Sequence, residues 1–292
     1  MKTRIQIVGS GVVGTASGIG LSDIGHDILF VDVSEKRISE LKEEGYKTSN
    51  KPVSGYDVYM IAVPTPNRNG EIDLSYVESA MTSVGEVIEP GNVVVLRSTV
   101  PPGTTSTLVT NTLESTSGMV AESDFYVTMN PELLREVSAN SDFANAKVAI
   151  VGSACKTGGD ILSDVYKPFG IPIIRMSLVE AEIFKLANNA YGALKITFSN
   201  CIGKIANDEC ADPQIILDTI AMYSHVMTEP QYGTTAGRPY AGACFPKDTL
   251  TLIQYGKLNG SRKWYGVFEA ADVINQTIAN EDGHKIPEYT DL

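Results

Sequence analysis

The stretch RIQIVGSGVVG at residues 4–14, with DILFVD at 27–32, decides how the rest of this chain is read. An apolar run leads directly into glycines at positions 9, 11 and 14, and a helix-length segment then leads into a second apolar run. Each glycine has its own task at a strand-to-helix turn. The first permits a tight turn, the second lets a phosphate group approach the backbone, and the third lets helix pack closely on strand. A carboxylate, Asp32, ends the second run 18 residues after Gly14, where it can meet ribose hydroxyls. Strand, glycine turn, helix and strand ending in an acid describe a dinucleotide-binding β-α-β unit.

The alternation continues in DVYMIAV (57–63), NVVVLRST (92–99), DFYVTMN (124–130), KVAIVG (147–152) and PIIRM (172–176). Runs apolar on both faces, separated by helix-length segments, suit a parallel sheet covered on both sides. Residues 1–176 are therefore expected to form an α/β domain with a Rossmann-like, doubly wound parallel sheet. From residue 177 the pattern changes, because SLVEAEIFKLANNAYGALKITFSNCIGKIANDECAD (177–212) has apolar residues at helical spacing and no strand run. Ser177 and Glu180 have the form of a capping box, and Asp212-Pro213 that of an N-cap and first turn. An all-helical central domain is expected over 177–280, interrupted by the loop TEPQYGTTAGRPYAGAC (228–244), with a polar tail at 281–292.

Composition narrows the function. The chain has 292 residues, 43% of them apolar, which is enough for two cores. Its 35 acidic against 23 basic residues give a formal charge of -12, so no basic stripe exists for nucleic acid or an anionic membrane surface. No segment reaches the roughly 18 apolar residues of a membrane span, and MKTRIQIVG enters a strand without a signal peptide, so the protein reads as cytoplasmic. Cys155, Cys201, Cys210 and Cys244 show no metal-ligand spacing with the three histidines; four free thiols and no metal are expected. His26, His225 and His284 read as structural or solvated.

Asp32 would repel a 2′-phosphate, so NAD is favoured over NADP. Arg37 either stacks on the adenine or is a solvated helix charge. Lys185 and Asn189 share a helix face in EIFKLANNA. They either converge on an oxygen developing negative charge, or are a surface lysine beside a capping or core asparagine. In YAGACFPKDT (240–249), Pro246 suits a first helical turn, which would place Cys244 at a helix N-terminus beside Lys247. Both features favour thiolate, so Cys244 is either a nucleophile or a small buried hydrophobe. Asp248 either complements the helix dipole or acts as a base.

Taken together, GSGVVG, DVSEKRI, IAVPTPNRNGEIDLSYVE, LRSTVPPGTT, VTMNPELLREVSANSDF, EAEIFKLANNAYGALKITFSN and GACFPKDTLTL resemble, in order, the UDP-glucose/GDP-mannose dehydrogenase family of nucleotide-sugar 6-dehydrogenases. The resemblance implies that Cys244 is the nucleophile and that Lys185 and Asn189 hold the oxyanion. Asp248 and Glu132 would handle protons and position water, with Thr99 assisting. It further implies that Gly9, Gly11, Val12, Val13, Gly14, Asp32, Arg37, Val63, Pro64, Thr65, Pro66, Ser98, Thr99, Glu136 and Lys247 lie near NAD. The implied reaction takes a primary alcohol through an aldehyde, a Cys244 thiohemiacetal and a thioester to the acid, with two NAD consumed. The implied partners are a nucleotide-sugar or related polyol substrate and a second copy, paired through the central helices at 181–206.

Three features depart from the family pattern. The further α/β domain that grips the nucleotide is expected to be absent. The loop AMYSHVMTEPQYGTTAGRPY (221–240) has no Arg-Ile-Gly segment. Pro-Tyr-Ala-Gly-Ala at 239–243 replaces Gly-Phe-Gly-Gly-Ser before the cysteine. Two competing readings follow: a single-step β-hydroxyacid-type dehydrogenase, which also uses a Lys-x-x-x-Asn helix, and a non-catalytic NAD-binding partner lacking the nucleotide-sugar domain.

Overall fold

The protein is described here by a computed structural model. It describes residues 2–68, 71–240, 244–258, 262–281 and 283, without the side chains of residues 71, 136 and 262. Contacts divide the chain into two units, Met1–Asn189 and Ala190–Leu292.

The first unit contains β1 (Arg4–Val8), α1 (Val12–Asp23), β2 (Asp27–Val31), α2 (Glu35–Glu43), β3 (Lys47–Ser49), β4 (Val58–Ile61), the short pair β5 (Asn67–Arg68) and β6 (Glu71–Ile72), and α3 (Ser75–Gly85). It continues with β7 (Val93–Leu96), α4 (Thr110–Ser117), β8 (Tyr126–Met129), α5 (Ala139–Ala144), β9 (Ala149–Ser153), α6 (Lys156–Tyr166) and β10 (Ile173–Met176). Among the described residues, eight strands form one Rossmann-like sheet in the order β10-β9-β8-β7-β4-β1-β2-β3. Pairing is parallel throughout except between β8 and β9, which run antiparallel through Thr128–Ser153 and Met129–Gly152.

Successive strand residues point to opposite faces, and both faces are covered. Ile5, Ile7, Ile28, Phe30, Val58, Met60, Val93 and Val95 pack with Leu21, Leu41, Phe143, Leu162 and Val165 of α1, α2, α5 and α6. Val8, Leu29, Val31, Tyr59, Ile61, Val94 and Leu96 pack on the other face with Val77, Met81, Val84 and Leu113 of α3 and α4. That double cover is why these strands are continuous apolar runs. Gln6, fully buried in central β1, uses its amide to hold both backbone groups of Val53, accepting from its N–H at 3.1 Å.

Helix α7 (Leu178–Asp208) opens with the capping box: the Glu180 carboxylate accepts from Ser177 N and Oγ, each at 2.7 Å, and Ser177 Oγ accepts from Glu180 N at 3.3 Å. These donors hold the Glu180 carboxyl below its ordinary pKa. The second unit adds α8 (Pro213–Tyr223), α9 (His225–Thr228), α10 (Cys244–Leu258) and α11 (Gly266–Glu281). Asp212 caps α8 by accepting from Gln214 N at 2.8 Å. A small core of Cys201, Ile253, Tyr265 and Phe268 joins α7, α10 and α11. Among the described residues, no helix is long and apolar enough to cross a membrane.

His26 ties the start of the sheet to α6. Its Nδ1 accepts from Thr3 N at 3.2 Å and its Nε2 donates to the Val165 carbonyl at 3.0 Å, so the neutral ring uses both nitrogens. Burial lowers its pKa from the ordinary 6.5. Because the unfolded chain then binds the proton more readily, stability is full above about pH 6.5 and falls as the pH drops towards the folded value. His26→Gln should flatten that slope below about pH 6.5 in urea unfolding. An unchanged slope would remove His26 as its source.

Candidate functional site

The glycine turn is built as the sequence spacing requires. Gly9 has φ of +91°, and a Cβ there would lie 2.8 Å from the Ala62 backbone. A Cβ on Gly14 would lie 1.9 Å from the Gly9 carbonyl oxygen. At Gly11 a Cβ would meet nothing within 4 Å, because this residue faces open cleft. Gly11 is also the N-cap of α1 and no side chain caps the helix, so its first-turn N–H groups are left for an anion.

Asp32 follows β2 and accepts from Ser10 N at 2.7 Å through Oδ2 and from Ser34 N at 2.9 Å through Oδ1. Each oxygen keeps acceptor capacity for a vicinal hydroxyl. Arg37 is half-buried and lines a pocket beside Gly11, Val12 and Thr15. Its Nε donates to the Ser10 carbonyl at 2.9 Å, Nη2 to Thr15 Oγ1 at 2.8 Å, and Nη1 pairs with Glu40 at 2.8 Å. These bonds tie α2 to the glycine turn and the first turns of α1.

The opposite wall comes from the turns after β4 and β7. Ser98 Oγ donates to the Val63 carbonyl and Thr65 Oγ1 to the Thr99 carbonyl, each at 2.7 Å, which stitches the two turns together. The resulting cleft of about 690 Å³ is lined by Gly9, Gly11, Val12, Val13, Asp32, Val63, Pro64, Thr65, Ser98, Thr99 and Glu132. Pro66 and Gly14 do not line it; Gly14 supports it from beneath. Open space at the capless helix start, with an acid at the end of β2, fits a dinucleotide.

Sequence reasoning missed part of this lining. Asn50, Lys51 and Pro52 contribute from the loop that Gln6 fixes through Val53, Tyr76, Ser79 and Ser83 from α3, and Arg97 from the end of β7. The available signals were a buried-strand glutamine in RIQIV and a charge closing VVVLR.

Glu132 joins the cleft to α7. Its Oε1 pairs with Lys185 Nζ at 2.5 Å, and its Oε2 accepts from Leu134 N at 2.7 Å. Lys185 is only 3% exposed, which rules out the surface-lysine reading. One turn earlier on the helix, buried Glu182 accepts from Thr105 N at 2.7 Å, from Thr105 Oγ1 at 2.6 Å and from Gly103 N. That clamps the end of the STVPPGT loop, which begins with Ser98 and Thr99, onto α7. Asn189 is exposed, and its Oδ1 accepts from Asn188 Nδ2 at 3.3 Å. The Glu136 side chain lies outside the described residues.

In the second unit, Cys244 is exposed and opens α10. Lys247 and Asp248, both exposed, pair at 3.3 Å. Residues 241–243 lie outside the described part, but the preceding Tyr240 is held by Asn275, which accepts from its N–H at 2.7 Å and donates to its carbonyl at 3.0 Å. Burial pushes the Cys155 and Cys201 thiols up; Cys201 sits in the small core of the second unit, and half-buried Cys155 caps α6 by accepting from Gly158 N at 3.4 Å. His225 packs edge-on against Tyr232, and His284 lies outside the described residues.

The model of the UDP-glucose/GDP-mannose dehydrogenase family, NAD binding domain, matches residues 3–52 and 44–170; the model of that family's central domain matches 179–277. GDP-mannose 6-dehydrogenase of Pseudomonas syringae pv. tomato is 34% identical over 276 residues, covering 85% of this chain and 63% of that protein. UDP-glucose 6-dehydrogenase TuaD of Bacillus subtilis is 33% identical over 281 residues, covering 88% and 60%. This chain thus spans less than two thirds of either relative. The crystal structure of a ternary complex of GDP-mannose dehydrogenase from Pseudomonas aeruginosa matches with a TM-score of 0.84 at 30% identity, over 98% of this chain and 72% of that one.

Proposed function

Because the chain belongs to the UDP-glucose/GDP-mannose dehydrogenase family and its first unit is that family's NAD-binding domain, we propose that it oxidises the primary alcohol of a nucleotide sugar to the acid. The observation that carries this reading is Glu132, which lines the dinucleotide cleft and holds the buried Lys185 ammonium at 2.5 Å. Burying an ion pair is costly, and this one sets a cation and a carboxylate beside a cofactor cleft.

NAD would supply the hydride acceptor, a separate molecule for each of two oxidations. In the first, the alcohol loses a hydride and a proton to give the aldehyde. The Cys244 thiolate then forms a C–S bond to the carbonyl carbon, and the oxygen takes up a proton to give the thiohemiacetal. Loss of a second hydride and proton leaves the thioester. Water attacks its carbonyl, the C–S bond breaks, and the acid and free thiol are released. Lys185 and Asn189 stabilise the oxyanion in these steps, Glu132 and Asp248 move protons and position water, and Thr99 assists.

The relatives named for GDP-mannose and for UDP-glucose make both nucleotide sugars first choices as substrate. Turnover should be measured with each of them and with free sugar alcohols, following NADH. Oxidation of a nucleotide sugar but not of the free alcohols is the expected result. NAD binding without turnover of any would favour the non-catalytic reading instead. We also assign the protein to the cytoplasm, where Cys244 stays reduced, a placement that cell fractionation checks. Tyr191, Leu194 and Ile196 of α7 and Ile215, Met222 and Tyr223 of α8 are exposed and apolar, which supports a homodimer through these helices; a monomer by sedimentation would contradict it.

A further inference from the structure

Arg97, directly after β7, is 3% exposed. Its Nη1 donates to the Tyr166 hydroxyl at 2.8 Å and to Asn130 Oδ1, and its guanidinium lies 5.7 Å from the Phe143 ring centroid. Its Nε has no hydrogen-bond partner, and among the described residues no carboxylate pairs with it. A guanidinium does not deprotonate in a protein, so this is a buried positive charge without a counter-ion. The other buried charges are answered: Lys185 by Glu132, and Glu182 by the Gly103 and Thr105 donors.

Arg97 also has a defined place along the cleft. The residue lines the dinucleotide cleft and a second cavity of about 530 Å³, and the partners of its guanidinium, Asn130, Tyr166 and Phe143, line the second. In the order β7-β4-β1-β2, Arg97 stands three strands from Asp32, about 14 Å at ordinary strand spacing. If Asp32 takes the adenosine ribose and the α1 N-terminus the pyrophosphate, the part of the cleft beside β4 and β7 is left for the nicotinamide half.

We propose that Arg97 sets the preference of this site between the two oxidation states of its cofactor, an inference that rests on the NAD reading above. NAD+ carries a cationic ring, and hydride acceptance makes that ring neutral. A buried cation without a paired carboxylate, held in the wall of the cleft, disfavours the first state and favours the second. Arg97 thereby tilts the bound equilibrium towards NADH and assists hydride removal from an alcohol.

The test is the dissociation constant of NAD+ and of NADH, by titration calorimetry, for the wild type, Arg97→Lys and Arg97→Gln, with thermal melts confirming the fold of each. The wild type should bind NADH at least about tenfold more tightly than NAD+, the ratio should fall about tenfold in Arg97→Gln, and Arg97→Lys should keep most of it. Equal wild-type affinities overturn the inference even if the glutamine variant does not fold. Retention of the wild-type ratio in a folded Arg97→Gln overturns it as well. Binding of neither nucleotide to the wild type overturns the cofactor reading itself and this inference with it.

Discussion

Cys244→Ser is expected to cut acid formation by at least about a thousandfold while leaving NAD affinity unchanged. A serine hydroxyl is almost wholly protonated at neutral pH and adds poorly to an aldehyde, so the path to the acyl-enzyme closes. The exchange is sterically mild, and Cys244 is exposed at the start of α10, so stability should stay within about 0.5 kcal/mol. Cys210 supplies the control, because it is also exposed and Cys210→Ser should leave turnover intact. Acid formation at the wild-type rate by Cys244→Ser, measured by product chromatography, would remove the nucleophile from the scheme.

The second large effect separates two glycines three residues apart. Gly14→Ala forces a methyl to 1.9 Å from the Gly9 carbonyl oxygen, so backbone must move at the turn itself. A loss of about 3 kcal/mol or more in stability is expected, with NAD affinity reduced at least about a hundredfold. Gly11→Ala meets no protein atom within 4 Å, so melting should hardly change. Its methyl enters the cleft where a pyrophosphate would approach the α1 N-terminus, and affinity should fall about tenfold without unfolding. Calorimetry and thermal melts on the two variants check both halves. Unaltered NAD affinity in Gly11→Ala would put the dinucleotide somewhere else.

How much of this was legible beforehand depends on which physical feature carried each element. Strands β1, β2, β4, β7 and β8 announce themselves because both of their faces are buried, leaving no polar alternation to confuse the reading. Strand β3 has the sequence Lys-Thr-Ser at the sheet edge, so it carries no apolar signal. The reversed direction of β9 and β10 was not readable either, because KVAIVG and PIIRM fit a strand running either way. Direction is set by the connection after β8, where α5 packs on α1, Phe143 sits against Gly20, and the chain returns to the edge at which β8 ended.

The same division holds at the site. Gly9, Gly11, Gly14 and Asp32 were legible because their tasks depend on local spacing alone. Arg37 was not, since its bonds to Ser10 and Thr15 join α2 to the glycine turn and α1, 22 or more positions away. The Lys185–Glu132 pair joins residues 53 positions apart, and only the fold shows that the lysine is buried and answered. Arg97 likewise looks like an ordinary strand-end charge until Asn130 and Tyr166 are seen to enclose it.

The measurement that tests the account most directly is the number of NADH formed per nucleotide sugar consumed by the wild type, at saturating NAD and run to completion. Two NADH with the acid as product is the result expected of oxidation through a Cys244 thioester. One NADH, with the carbonyl compound as the final product, would contradict it and assign the site to single-step alcohol oxidation.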